Sequence, residues 1–143
     1  MKLPLPRLLA AYVAALLTLM AADYFWLGTL MVGFYQSRLG PLLLPVPRLV
    51  PALLFYTLYI AGLLYFVILR SPVMNAARRV IGEAALFGVI AYGTYDLSNF
   101  ATLRIWTADL VFADVVWGGL ISAVSAAVAW VVLRLQPPGG RKA

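Results

Sequence analysis

The sequence contains no cysteine and no histidine, and only 11% of its 143 residues are charged. Without cysteine there are no disulfides, no thiol nucleophile and no Cys-based metal centre. Without histidine the usual Ser–His and Cys–His catalytic pairs are excluded as well. A soluble domain carries about 25% charged residues, so this chain has too few to cover a water-facing surface. Phosphate loops, dinucleotide fingerprints and metal motifs are also missing, and no cofactor is expected. Carboxylates, hydroxyls, amides and arginines remain to carry any chemistry.

What the chain has in abundance is apolar residues, 64% of the total. A helix needs about 20 of them to cross a hydrocarbon core of ~30 Å. Four runs qualify, at residues 8–31, 49–69, 80–103 and 107–133. The expected fold is all-α, a single transmembrane domain of four helices. The first run follows Lys2 and Arg7, as a signal peptide would, but it is too long for a signal h-region and no A-x-A site follows. It is read as a retained helix.

Lysine and arginine in the short loops set the orientation. Lys2, Arg7, Arg70, Arg78, Arg79, Arg134, Arg141 and Lys142 fall on one side, and Arg38, Arg48 and Arg104 on the other. Eight against three predicts both termini in the cytoplasm. The net charge of +6 then points to phospholipid headgroups, not to nucleic acid. The turn at Arg104-Ile105-Trp106 is short, which makes the third and fourth helices an antiparallel hairpin. The outer connection 33–48 is proline-rich with an apolar Leu42-Leu43-Leu44 run, so it is expected to lie on the bundle or dip into the interface. Ser71-Pro72 reads as a helix cap, and the tail from Gln136 as a polar end that no helix continues through.

Ionisable groups at membrane depth are costly and are normally paired, exposed to a cavity, or functional. Asp23, Asp96 and Asp114 come from three different helices, yet each falls about 10–12 Å below the outer boundary at ~1.5 Å per residue. Three of the five acidic residues thus share one layer, where like charges must share protons or a cation. Asp23-x-x-Trp26-x-Gly28 and Asp114-x-x-Trp117-x-Gly119 repeat one pattern on the first and fourth helices, placing Asp and Trp on one face. Tyr92, Tyr95, Asp96 and Asn99 form a polar stripe on the third helix. Asp114, Gly118, Ser122 and Ser125 form another on the fourth, with small residues that allow close helix approach. The first helix offers Tyr12, Leu16, Leu19, Asp23, Trp26 and Leu30 as a seam.

A structural reading stands beside the functional one. The carboxylates can pair with Arg38, Arg48 or Arg104, or bond Tyr95, Asn99 and the tryptophans, as interhelical glue of ~0.6 kcal/mol per contact. Trp26, Trp106 and Trp117 can form an outer aromatic belt, most simply Trp106. The aromatic residues of the second helix, Phe55, Tyr56, Tyr59, Tyr65 and Phe66, read as packing or lipid-facing. Glu83 is expected to pair with Arg79, and Asp109 to cap the fourth helix.

Several segments occur together in order: Asp23-Tyr-Phe-Trp-Leu-Gly28, Phe34-Tyr35 with Leu39-Gly40, Leu54-Phe-Tyr-Thr-Leu-Tyr59, Tyr95-Asp-Leu-Ser-Asn-Phe-Ala-Thr-Leu103 with Trp106, and Asp114-Val-Val-Trp-Gly118. In these the sequence resembles the bacterial predicted membrane proteins of the family catalogued as domain of unknown function 2177. The resemblance implies a small multi-pass protein of the bacterial inner membrane and no particular activity.

Three functions compete. The first is a proton- or cation-linked ligand-binding or transport protein, helped by homo-oligomerisation, with Asp23, Asp96, Asp114, Asn99, Tyr95, Trp26 and Trp117 as its site. The second is a non-catalytic assembly factor or accessory subunit of a larger membrane complex, docking through small residues such as Gly119, Ala123 and Ala127. The third is an embedded enzyme acting on a lipid or isoprenoid, with an Asp base and an outer arginine on the headgroup. The absences listed above place the enzyme last, and no catalytic residue is assigned.

Overall fold

The computed structural model describes residues 3–70 and 76–135. Within them the chain forms α1 (Leu5–Phe25), α2 (Val32–Leu39), α3 (Leu49–Leu63), α4 (Ala77–Thr102) and α5 (Ala108–Leu135), and no strand. α1 and α3 are each extended by a wide π-helical turn, at Trp26–Leu30 and Leu64–Ile68. Four helical segments are long and apolar enough to cross a membrane: Leu5–Leu30, Leu49–Ile68, Ala77–Thr102 and Ala108–Leu135. Their ends fall within three residues of the runs read from the sequence. The Ser71-Pro72 cap and the tail from Gln136 lie outside the described residues.

α5 is the centre of the bundle. It packs along α4, as the tight hairpin predicts, and along α1. Small residues permit this. Ala11 and Ala15 of α1 and Ala126 and Ala129 of α5 are fully buried. Where α4 crosses α5, a Cβ on Gly88 would stand 2.1 Å from the Gly118 carbonyl oxygen. A Cβ on Gly118 would stand 2.3 Å from the Tyr92 ring. This crossing exists only because both positions are glycine, and it presses Tyr92 against the α5 backbone. The small-residue face of α5 is partly used here: Gly119 is buried under Val89 of α4, so it is not a free docking surface.

The arginine-rich end of the bundle has an apolar core, built on Leu63, Leu64, Val67, Val80 and Leu133. Arg7 donates to the Leu133 carbonyl there, at the C-terminal end of α5, where unpaired carbonyls attract a cation. Arg79 and Glu83 pair as expected, with Nε 2.6 Å from Oε1.

The opposite end is looser. α3 is tied to α1 by the Tyr12 hydroxyl, which donates to the Thr57 carbonyl at 2.9 Å. Its π-helical end meets α4, but its outer half stands away from α4 and α5. The connection 33–48 is not simply a loop. It begins with α2, eight residues of helix, whose buried Leu39 packs with Trp106 and Leu110 and thereby covers the outer end of α5. Asp109 lies in the first turn of α5, where the helix dipole favours it. Its carboxylate accepts from Thr107, from its neighbour's amide and from Arg38. It therefore ties α2 to α5 instead of serving only as a cap. Leu30, expected in the seam of the first helix, is 57% exposed, and the buried stripe is instead Ala11, Ala15, Leu19 and Asp23.

The excess of lysine and arginine at the other end predicts that α2 faces away from the cytoplasm. Because the chain has no cysteine, single cysteines report on this cleanly. In intact cells Ser37→Cys should react with a membrane-impermeant maleimide and Arg78→Cys should not. Labelling in the opposite pattern reverses the orientation.

Candidate functional site

Asp23, Asp96 and Asp114 come together, from α1, α4 and α5, around one cavity of about 720 Å3. α3 and α4 form its sides through Phe55, Tyr56 and Tyr59 on one and Ala91, Tyr92 and Tyr95 on the other. α2 supplies Tyr35 and Leu39, and Leu27, Pro47, Ala52, Trp106 and Trp117 also line it. The void exists because the outer half of α3 stands apart while α2 bridges above it.

Among the described residues the three carboxylates have no arginine partner. The ion pairs among the described residues are Arg38–Asp109 and Arg79–Glu83. Aromatic side chains supply the donors to each of the three instead. Trp117 Nε1 donates to Asp23 at 2.7 Å. Trp106 Nε1 donates to Asp96 Oδ1 at 3.1 Å. The Tyr35 hydroxyl donates to Asp114, and itself accepts from Trp26 Nε1 at 3.2 Å. Trp26 and Trp117 stack with centroids 4.3 Å apart and planes 5° from parallel.

The repeated Asp-x-x-Trp pattern thus has a spatial counterpart. The two units sit on antiparallel helices and face each other. The tryptophan of the α5 unit serves the aspartate of the α1 unit directly. The tryptophan of the α1 unit serves the aspartate of the α5 unit through Tyr35. The π-helical turn starts at Trp26, with the Met31 amide reaching back to the Trp26 carbonyl at 2.8 Å. Such turns recur at functional sites.

Asp96 is the residue that this arrangement leaves unsatisfied. It is 0% exposed, and its second oxygen, Oδ2, is buried without any hydrogen-bond partner. Its neighbour is Asp114, close enough for one proton to bridge the two carboxyl groups. If both are ionised, neither can donate to the other, and a buried orphan acceptor costs about 1–3 kcal/mol, more when charged. A proton shared by the pair, or a cation in the cavity, supplies the missing partner.

Of the residues nominated from the sequence, Asp23, Tyr95, Asp96, Asp114 and Trp117 line the cavity. Trp26 reaches it through Tyr35, and Asn99 stands beside Tyr95 without joining the lining. From sequence alone Tyr35 has no role, Tyr56 and Tyr59 read as packing and Trp106 as belt, and Tyr92 belongs to the polar stripe without being assigned to the site. Trp106 is not a belt residue: the 103–107 turn folds its ring inward until it is 8% exposed, over Asp96. Tyr59 bonds Ser122 at 2.6 Å and packs edge-on to Tyr92. Tyr56 stands beside Asp23.

Tyr35 lies outside the spanning helices. Burial, and next the Asp114 carboxylate to which it donates, holds its phenol well above the ordinary tyrosine range. Its stabilising contribution is therefore intact below pH ~10 and lost as pH rises beyond that. Tyr35→Phe should remove this alkaline loss and increase Trp26 solvent exposure. A melting curve across pH 8–11 that is the same in both proteins would contradict the bridge.

The geometry of this layer can be set against known proteins. No curated protein and no solved structure matches the chain. A family model described as "Predicted membrane protein (DUF2177)" matches residues 8–131. That stretch contains all three cavity carboxylates and their aromatic donors, and the chain belongs to this family of multi-pass membrane proteins.

Proposed function

We propose that this protein is a ligand-binding or transport protein of the bacterial inner membrane, and that the carboxylate layer holds a proton or cation which the ligand displaces. One observation carries the reading: the buried, unpartnered Oδ2 of Asp96 beside Asp114, at the wall of a cavity of about 720 Å3. That size falls within the range of about 300–1,000 Å3 typical of ligand pockets. Pure structural glue would close every carboxylate oxygen against a donor in a packed core, at no cost in buried orphans. The distribution of lysine and arginine turns the cavity toward the outside of the cell.

The competing roles find less support. The small-residue face suggested for a partner subunit is used within the chain at Gly119. Of Arg38 and Arg104, the two outer arginines an enzyme could set on a headgroup, Arg38 is held by Asp109.

A potentiometric titration of the purified protein tests the proposal. Wild type should retain a proton at neutral pH that Asp96→Asn and Asp114→Asn both lack, with Glu83→Gln, at the opposite end of the bundle, as the unaffected control. Equal proton counts in all four proteins would mean that the pair holds no exchangeable proton, and the proton-linked reading fails.

A further inference from the structure

The cavity's chemistry narrows the class of ligand, given the binding role just proposed. Among the described residues no lysine or arginine lines it, and its charged groups are three carboxylates. An anionic ligand would meet uncompensated repulsion in a low-dielectric site. Most of the remaining wall is aromatic: Phe55, Tyr56, Tyr59, Tyr92, Trp106 and Trp117. Aromatic ring faces attract cations, most strongly where water is excluded.

A bare metal ion is a poor match. Among the described residues no group of three or more acidic, histidine or cysteine side chains converges as a metal site. Asp96 and Asp114 form a pair, while Asp23 is engaged with Trp117 and Tyr56. The volume also far exceeds what an ion requires. The acidic cluster does not stand alone as an argument, because Asp96 Oδ2 is fully buried, lacks a donor, and belongs to a residue lining the cavity.

We propose that the ligand is a hydrophobic organic cation of the substituted-ammonium class. Its charged centre replaces a proton on the Asp96–Asp114 pair, and its apolar groups lie against the aromatic walls. One positive charge enters as one leaves, so the buried site keeps its net charge throughout the exchange. Entry is between α3 and α4, where the helices are apart and the wall residues Phe55 and Tyr95 are 44% and 58% exposed. A ligand with apolar groups can reach this gap from within the bilayer.

The test is calorimetric titration of the purified protein with tetraphenylphosphonium, with its isosteric anion tetraphenylborate, and with sodium. Repeating it in buffers of different ionisation enthalpy counts the protons released. The proposal expects binding of the phosphonium with release of a proton, and no saturable binding of the borate. Asp96→Asn or Asp114→Asn should weaken the phosphonium by on the order of a hundredfold, and Glu83→Gln, which touches only the Arg79 pair at the other end of the bundle, should leave it unchanged. In nanodiscs, competition by ethanolamine lipids would identify the natural ammonium as a lipid headgroup, and lack of competition as a soluble amine. Both results keep the class.

Equal binding of phosphonium and borate overturns charge recognition. Sodium binding with proton release, but no phosphonium binding, overturns the organic class and leaves the proton-holding pair standing. Absence of any cation binding and of any proton release overturns both.

Discussion

Replacing Gly88 with valine should prevent the protein from accumulating in the membrane as a folded species. Even alanine should lower its melting temperature clearly. The new Cβ would lie 2.1 Å from the Gly118 carbonyl oxygen and 2.4 Å from the Ser122 hydroxyl. A backbone oxygen in the middle of a helix cannot swing aside, so α4 and α5 must separate along their whole shared face. Overpacking of this kind costs about 3 kcal/mol or more for valine. The same helix provides its own control. Gly82 has nothing within 4 Å of its would-be Cβ. Gly82→Ala should therefore be neutral or stabilise by about 0.5–1 kcal/mol, because glycine is a poor residue for a helix interior. Thermal unfolding in mild detergent compares the two directly. Equal effects of Gly82→Ala and Gly88→Ala would mean that the crossing is not closed.

Asp96→Asn should move stability and function in opposite directions. The amide nearly matches the carboxyl in shape, retains an oxygen for Trp106, and gives Asp114 a donor where Oδ2 now has none. Because Asn supplies that hydrogen bond without a bound proton, the substitution should stabilise the fold by about 1 kcal/mol at alkaline pH, where the pair must otherwise hold its proton or repel. The exchangeable proton is lost with it, so ligand binding and proton release should fall together. This is the expected signature of a site that holds strain for its chemistry. If Asp96 were glue, the same substitution would destabilise the fold or leave it unchanged, with no function to lose. The melting temperature and the proton count of one variant separate the two cases.

Much of the fold was legible because the membrane imposes a simple rule. A run of about 20 apolar residues must be a helix, since the bilayer satisfies no backbone groups. The tight turn before Trp106 specified the hairpin for the same reason. The layer of Asp23, Asp96 and Asp114 followed from rise per residue alone, without knowledge of which faces meet. Rotation about each helix axis was harder to read. In α3 nearly every side chain is apolar, so Tyr56 and Tyr59, which turn toward the carboxylates, look no different from Tyr65 and Phe66, which turn away. Only the spacing from Tyr56 to Tyr59 set them on one face. α2 escaped notice because the three prolines that follow it, Pro41, Pro45 and Pro47, mark the segment as loop. The spacing of Phe34, Tyr35 and Leu39 carried the signal of a short buried face. Asn99 and Trp106 show the limit of stripe arguments at helix ends. Asn99 continues the stripe of Asp96 without lining the cavity, whereas Trp106, beyond the last turn of α4, is folded back onto Asp96.

The central claim is that Asp96 and Asp114 are a working pair whose proton gives way to a ligand. Infrared difference spectroscopy of the protein with and without tetraphenylphosphonium addresses it most directly, because a protonated carboxyl group has its own absorption band. The account predicts a protonated-carboxyl band in the free protein that disappears when the cation is added. The band should be missing from the start in Asp96→Asn and in Asp114→Asn. A carboxyl spectrum that neither the cation nor either substitution alters would contradict the account and return all three aspartates to the role of structural contacts.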